Sequence, residues 1–587
     1  MSKIVIYQTL PRLFGNEKTA NIPNGTLKEN GVGKMSAFTP KVLKEIHKMG
    51  FTHIWYTGVL SHATQTDYPE YGIRRNHPAI VKGKAGSPYA IRDYYDIDPD
   101  LADSVPNRMA EFEALVARTH QAGLKAIIDF VPNHVARQYH SDAKPENTVD
   151  LGANDDIRTT FAPDNNFYYI PGQVFAPTFS LEAEGEEPYH EYPAKVTGND
   201  FFAANPSKDD WYETVKLNYG VDYMNNRQTH FEPVPDTWRK MRDILLFLAS
   251  KNIDGFRCDM AEMVPVEFWG WAIPSVKQVH PNVQFIAEIY NPDQYRNYLQ
   301  NGKFDYLYDK VGLYDTLRNV INGKQSAQAI TGCWQSVGDI QEQMLYFLEN
   351  HDEQRIASTF FAGNPHKALP AFAVMAAMHK NPVMVYFGQE LGEKGMDNEG
   401  FSGVDGRTTI FDYWSVESLR NWYNNGKINT ALLTDEQKAL RDSYIQLLTL
   451  CNSSEAIREG KFFDLMYANP HSNFFNPDKQ YAFMRCAGNE LLLVVANFDE
   501  LEADVNVFLP ASAFDYFGID ETKIASAKEL LSDEKMSAKI SRDSHYPVHL
   551  HGTSACLIRF LLKSTFTDFG LKAPIDYKFD REEANER

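Results

Sequence analysis

The stretch Gly255-Phe256-Arg257-Cys258-Asp259 decides the fold reading. It is a short β-rich run that ends in a carboxylate and carries an arginine two residues before it. Alternate residues of a strand share a face, so Arg257 and Asp259 point the same way. Seven further β-rich runs flank it, at 4–8, 53–57, 125–131, 285–288, 306–309, 345–348 and 383–386. Helical stripes lie between them. In 39–49 the apolar residues are Val42, Leu43, Ile46 and Met49, and in 107–122 they include Met109, Phe112, Leu115 and Val116. Gly123 follows that second stripe, where a helix end favours glycine. The segments 236–250 and 366–378 are further helical patterns. Strands alternating with helices predict an α/β fold, a parallel (β/α)8 TIM barrel.

One connection is far longer than a barrel loop. About a hundred residues separate the third strand from the helix at 236, and connections of that length form a functional element or a subdomain of their own. The expected organisation is a first part of the barrel at 1–131, an inserted domain at 132–222 and the rest of the barrel at 223–453. From 454 the pattern changes to alternating strands, such as 480–485 and 491–496, with no helices expected between them. That predicts a C-terminal antiparallel β-sandwich over 454–565, followed by a polar tail at 566–587. The insert's aromatics, Phe167-Tyr168-Tyr169, have two readings: walls of a binding cleft, or the core of the insert itself.

Bulk properties narrow the partners. The chain has 587 residues, a formal net charge of −20 and 43% hydrophobic residues. Such a charge repels phosphate backbones and anionic lipid, so neither nucleic acid nor membrane is an expected partner. A neutral substrate is compatible with it. The 5 cysteines include no CxxC pair, so neither a disulfide framework nor a zinc site is expected. The start, Met1-Ser2-Lys3-Ile4-Val5, lacks the features of a secretory leader, and the expected location is cytoplasmic.

Barrel enzymes carry their catalytic groups at the C-terminal ends of the strands. The third strand ends in Asp129-Phe130-Val131-Pro132-Asn133-His134, the fourth in Asp259, the fifth in Ile286-Ala287-Glu288 and the seventh in Glu349-Asn350-His351-Asp352. A lone carboxylate there would be read as a helix cap. Asp259, Glu288 and Asp352 on one rim, with two histidines and an arginine, form a catalytic set. Glycosidic cleavage needs an acid for the leaving oxygen and a carboxylate to meet the developing oxocarbenium ion. An arginine beside Asp259 is expected to hold it ionised.

These segments, in this order, resemble the short conserved regions of the α-amylase family, glycoside hydrolase family thirteen. Gly50-Phe51-Thr52-His53-Ile54-Trp55, Ser87-Pro88-Tyr89 with Asp93-Tyr94-Tyr95, and Tyr386-Phe387-Gly388-Gln389-Glu390 extend the resemblance to roughly residues 1–565. It implies an intracellular α-amylase-like enzyme acting on starch, glycogen or maltodextrin. Asp259 is then the nucleophile, Glu288 the acid/base, and Asp352 a binder of sugar hydroxyls. Arg257 orients Asp259, His134 and His351 hydrogen-bond the sugar, and Tyr89 stacks beneath it. Asp129 and Asp93 are read as structural. The expected reaction is retaining hydrolysis of α-1,4-glucosidic bonds. The alternatives are an α-glucan transglycosylase, an oligosaccharide α-glucosidase, and, from another class, a non-catalytic glycan-binding protein.

The chain also departs from the family pattern. Glu262-Met263 stand where many members carry Lys-His. In Val215-Lys216-Leu217-Asn218-Tyr219, Lys216 stands where the resemblance implies an aspartate that binds calcium. An ammonium cannot coordinate a cation. It is expected to contact Asn133 instead, with no metal site and no cofactor required; the alternative is calcium, if a slip of the alignment restores an acidic ligand such as Asp222 or Asp210.

Overall fold

The computed structural model describes residues 2–563. The expected tail at 566–587 lies outside the described residues, as do the last two residues expected for the sandwich. Eight parallel strands close into a barrel: Val5–Thr9, His53–Tyr56, Lys125–Phe130, Gly255–Cys258, Gln284–Ala287, Tyr306–Tyr308, Met344–Phe347 and Val383–Tyr386. Each matches one of the β-rich runs. Neighbouring strands pair in parallel, with Arg257 beside Asp129 on one side and Ile286 on the other.

Alternation explains why these runs are apolar throughout. In the first strand Ile6 faces the barrel interior, where it meets Trp55, Ile127, Ile286, Tyr308, Leu345 and Met384. Val5 and Tyr7 face outward and join the core beneath the helices. Burial on both faces is the rule for parallel sheets covered by helices. Arg257 is the one charged residue among those lining this interior, and its side chain is fully buried.

The helices follow the same logic. Arg108–Gln121 buries Phe112, Leu115, Val116 and Thr119, which share one face at helical spacing. Burying each of its large apolar side chains contributes about 1.5–3 kcal/mol, and Phe112→Ala would cost about 3–5 kcal/mol. Pro40–Lys48 begins with proline at its first position, and the Thr39 hydroxyl accepts the Val42 N–H. Gly123, just past the Arg108–Gln121 helix, takes φ +84°.

Between the third and fourth barrel strands the chain forms short two-stranded ladders. His134–Ala136 pairs with Thr214–Lys216, and Tyr169–Ile170 pairs with Ala194–Lys195. Phe167, Tyr168 and Tyr169 are buried here, and Tyr168 packs with Ile170, Phe175, Ala194 and Val196. Of the two readings of these rings, the core of this region is the one observed.

Beyond residue 454 a six-stranded sheet runs in the order Lys461–Asp464, Gln480–Ala487, Glu490–Asn497, Ser554–Leu562, Ile524–Glu529, Lys535–Met536. A second sheet pairs Ala503–Leu509 with Ser544–Leu550. One expectation is corrected here. A helix, Ala511–Phe517, interrupts the strands. It buries only Ala513 and Phe514, so its apolar stripe is too short to stand out from strand alternation in the sequence. Arg485 ties this region to the barrel. Its guanidinium donates to the carbonyls of Met378 (2.5 Å) and Ala377 (3.3 Å) at one helix end, and of Ile457 (3.0 Å) and Gly460 (2.7 Å) at another. Both are C-terminal ends, where unpaired carbonyls favour a cation. Among the described residues no helix is long and apolar enough to cross a membrane.

Candidate active site

The barrel register places the residues at the strand ends against one another. Arg257 Nη1 donates to Asp259 Oδ1 at 2.7 Å, and Nη2 lies 2.9 Å from Glu288 Oε2. Asp129 Oδ1 is 3.6 Å from Nη1. One guanidinium thus faces three carboxylates from three adjacent strands. Rings surround it: the centroids of Trp55, Tyr89 and Tyr308 lie 5.2, 5.5 and 5.5 Å from its central carbon. The Tyr308 hydroxyl also accepts from Nε at 3.1 Å.

Glu288 receives further donors. The Met260 N–H reaches Oε2 at 2.8 Å, and the Tyr290 hydroxyl donates to Oε1 at 2.7 Å. Met260 itself has φ 41° and ψ 43°. A left-handed conformation is uncommon for a residue with a side chain, and such strain persists where surrounding contacts hold it.

Asp352 lies on the same rim, with its side chain 45% exposed. Its Oδ2 is 3.0 Å from His351 Nε2, and Arg407 Nε donates to its carbonyl at 2.6 Å. The partial burial of its carboxyl favours the neutral form, but His351, Arg257 and Arg407 outweigh that and hold it down at about 2. His351 is oriented by Gln8, whose Nε2 lies 2.8 Å from Nδ1, and it stacks on Tyr89 at 5.0 Å. A cavity bordered by His351, Asp352, Asp405, Arg407 and Thr408 opens beside them.

Electrostatics modify one expectation. Arg257 was expected to hold Asp259 ionised. Burial is the largest influence on Asp259 and pushes its carboxyl well above the usual range. Arg257 opposes this and the Glu288 charge adds to it. The physical reason is that the carboxyl is taken out of water, and the attraction of Arg257, set against the repulsion of Glu288, does not make up that loss.

The remaining expected residues are placed as follows. Tyr89 is 9% exposed and turns its hydroxyl to Asp129 Oδ1 at 3.3 Å. His134 is 3% exposed. Its Nδ1 lies 3.1 Å from Asn133 Nδ2. Burial and the charges of Lys216 and Lys82 push its pKa down to about 3, so the ring is neutral. Asp129 accepts from Trp55 Nε1 at 3.0 Å and from the Gly58 N–H at 3.3 Å. Asp93 accepts from Ser141 Oγ and from the N–H groups of Tyr95, Asp142 and Ala143. Both aspartates are saturated by scaffold donors. Cys258 is buried, with its thiol pushed well up by burial.

Lys216 sits where the ladder pairs it with His134. Its Nζ lies 2.8 Å from Asn133 Oδ1 and 2.5 Å from Asp200 Oδ1, and the side chain is 2% exposed. An ammonium therefore fills the space between these oxygens, and the donor set does not suit a metal cation. Asp222 and Asp210 are engaged elsewhere, with Met224 and Asn225 and with Ser207 and Asn199.

Sequence reasoning missed Tyr290, Tyr308, Gln8 and Arg407, and it took Trp55 only as a strand marker. Tyr290 carried a signal, since it stands two residues after Glu288. The others come from distant strands and loops, and only the closed barrel brings them in.

The family model "Alpha amylase, catalytic domain" matches residues 8–443. Alpha-amylase 3 of Dictyoglomus thermophilum is 23% identical over 64% of this chain and 68% of its own length. Alpha-amylase MalA of Haloarcula japonica is 24% identical over 67% of this chain, which spans 44% of that protein. Among solved structures, a noncanonic maltogenic alpha-amylase, AmyB from Thermotoga neapolitana, superposes with a TM-score of 0.59 at 20% identity, covering 95% of this chain and 99% of that one. At that identity the superposition speaks for the fold.

Proposed function

This chain belongs to the α-amylase family, and on that premise we propose that it is a retaining glycoside hydrolase cleaving α-1,4-glucosidic bonds in starch, glycogen or maltodextrins. The observation that carries the reading is the shared guanidinium. Arg257 takes Oδ1 of Asp259 and Oε2 of Glu288 on adjacent nitrogens, so the two carboxylates are held as a pair at the mouth. The filled acidic positions also argue against a non-catalytic glycan binder.

The chemistry runs in two displacements. Glu288 gives its proton to the glycosidic oxygen as the bond from that oxygen to the anomeric carbon breaks. Asp259 Oδ2, the oxygen not taken by Arg257, forms a bond to the anomeric carbon from the opposite face. The leaving sugar departs with the proton as its new hydroxyl. Water then gives a proton to Glu288 while its oxygen bonds the anomeric carbon, and the Asp259 ester breaks. Each step inverts the centre, so configuration is retained. Asp352 and His351 bind hydroxyls of the same sugar and Tyr89 forms its floor. The Lys216 ammonium, between Asn133 and Asp200, supports a reading in which the place where the resemblance implies calcium is held by a side chain. The 5 free thiols accord with a reducing compartment, and we assign the enzyme to the cytoplasm.

Proton NMR during hydrolysis of maltoheptaose tests the reading. The α-anomer is expected first, among shorter sugars. A β-anomer appearing first would mean direct attack by water and overturn the roles of Asp259 and Glu288. Products longer than the substrate would make the enzyme a transglycosylase on the same machinery.

A further inference from the structure

The small sheet of the C-terminal region carries a second cluster of chemical interest. Ala503–Leu509 and Ser544–Leu550 pair antiparallel, with Ala503 opposite Leu550 and Asp504 opposite His549. Val505, Val548 and Leu550 face the core, each no more than 3% exposed. Strand alternation then turns Asp504 and His549 outward. Continuing the register by one residue sets Glu502 opposite His551 on that same outward face. The two chain ends are fixed there by buried Asn497, whose Nδ2 donates to the Leu501 carbonyl at 2.9 Å and to the His551 carbonyl at 3.0 Å.

Glu502, His549 and His551 each bring one donor atom to this point, all within 4.8 Å of one another. The imidazoles meet edge to face, with centroids 5.1 Å apart. Asp504 Oδ1 lies 2.8 Å from His549 Nδ1. A carboxylate only accepts, so in the neutral ring Nδ1 carries the hydrogen and Nε2 presents its lone pair. A carboxylate on the far nitrogen is how metal-binding histidines are oriented. An ion pair between Asp504 and His549 explains those two residues alone. It gives no reason for a second imidazole and a second carboxylate at the same point.

We propose that Glu502, His549 and His551 bind one first-row divalent metal ion of the zinc class, with Asp504 orienting His549 and water completing the coordination. Two imidazoles and one carboxylate suit Zn2+, whereas calcium and magnesium prefer an all-oxygen shell. Donors around tetrahedral zinc, at bonds of about 2.0–2.2 Å, sit closer together than they do here. Exposed side chains at the ends of two strands can close that gap by small rotamer changes. The ion would staple the start of one strand to the end of its ladder partner.

The test is titration of the full chain, freed of metal, with Zn2+ against a chromophoric competitor. One equivalent is expected to bind with micromolar affinity or better. His549→Ala and His551→Ala should each abolish that equivalent. Asp504→Asn should weaken it by about 10–100-fold, the range for removing an orienting partner. Circular dichroism and glucan hydrolysis should be unchanged in all three, showing that the loss is not misfolding. The proposal is overturned if the wild-type chain binds no stoichiometric Zn2+. It is equally overturned if the double variant His549→Ala/His551→Ala binds as the wild type does.

Discussion

Replacing Lys216 by methionine keeps the length and most of the packing of the side chain but removes its charge. The ammonium has two partners: Asn133 Oδ1 at 2.8 Å and Asp200 Oδ1 at 2.5 Å. Asn133 is 1% exposed, so its oxygen would lose its donor without gaining water. A buried acceptor left unpaired costs about 1–3 kcal/mol. The Asp200 side chain is 34% exposed, but the Oδ1 that pairs with the ammonium is itself buried without another hydrogen-bond partner, so loss of that pair adds about 1–3 kcal/mol. The expected destabilisation is about 2–6 kcal/mol from the two unpaired oxygens, located where the Thr214–Lys216 strand meets His134. Asn133 Nδ2 also holds His134 Nδ1 at 3.1 Å, and His134 is one of the residues that the resemblance places against the sugar. A looser Asn133 should therefore weaken turnover as well as stability. The assay pairs a thermal melt with limited proteolysis and maltoheptaose kinetics, each with and without chelator. Added calcium should leave the chelator-treated wild type unchanged. Lys216→Met should melt earlier, be cut sooner within 132–222 and turn over more slowly. A wild-type midpoint that falls by many degrees on chelation and recovers with calcium would refute the reasoning. So would a methionine variant as stable as the wild type.

Three further outcomes are expected. Asp259→Asn should lose several powers of ten in turnover, because an amide cannot form the glycosyl ester, while its melting curve stays close to wild type; near-normal hydrolysis of α-glucans by this variant would remove the nucleophile assignment. The acid limb of kcat/KM, which reports the free enzyme, should lie above the ordinary aspartate value of about 4, since burial pushes Asp259 up while Asp352 stays ionised down to about 2; a profile still flat at about pH 3.5 would contradict this. His53 is buried with its pKa pushed down to about 3 by desolvation and Lys125. Its folded pKa is below the unfolded value, so its contribution is present above pH about 6.5 and is lost as pH falls toward the folded value. Between pH 7.5 and 5 the wild type should lose about 2 kcal/mol relative to His53→Gln, and denaturant unfolding at both pH values would show equal losses if the ring were already charged in the fold.

The sequence by itself determined the barrel and the identity of the acidic rim. Each barrel strand is a short continuous apolar run bounded by turns, because both of its faces are buried, and such runs stand out between helical stripes. Asp259, Glu288 and Asp352 were legible because a carboxylate at the end of a barrel strand has a fixed place on the rim. Arg257 was legible because two-residue spacing puts it on the face of Asp259. The helix Ala511–Phe517 was not legible, since it buries too few residues to impose a helical period. Only the tertiary structure decided which carboxylates face Arg257 besides Asp259. That depends on the sideways register of adjacent strands, which brings Glu288 to 2.9 Å and Asp129 to 3.6 Å from the same guanidinium. Likewise, Tyr290 on Glu288, Gln8 on His351 and Asp504 beside His549 are contacts between side chains whose directions are set by packing. Sequence spacing fixes which way a residue faces along its own strand. The distance to a partner on another strand is set by closure of the sheet, and that distance governs both the hydrogen bond and the electrostatics.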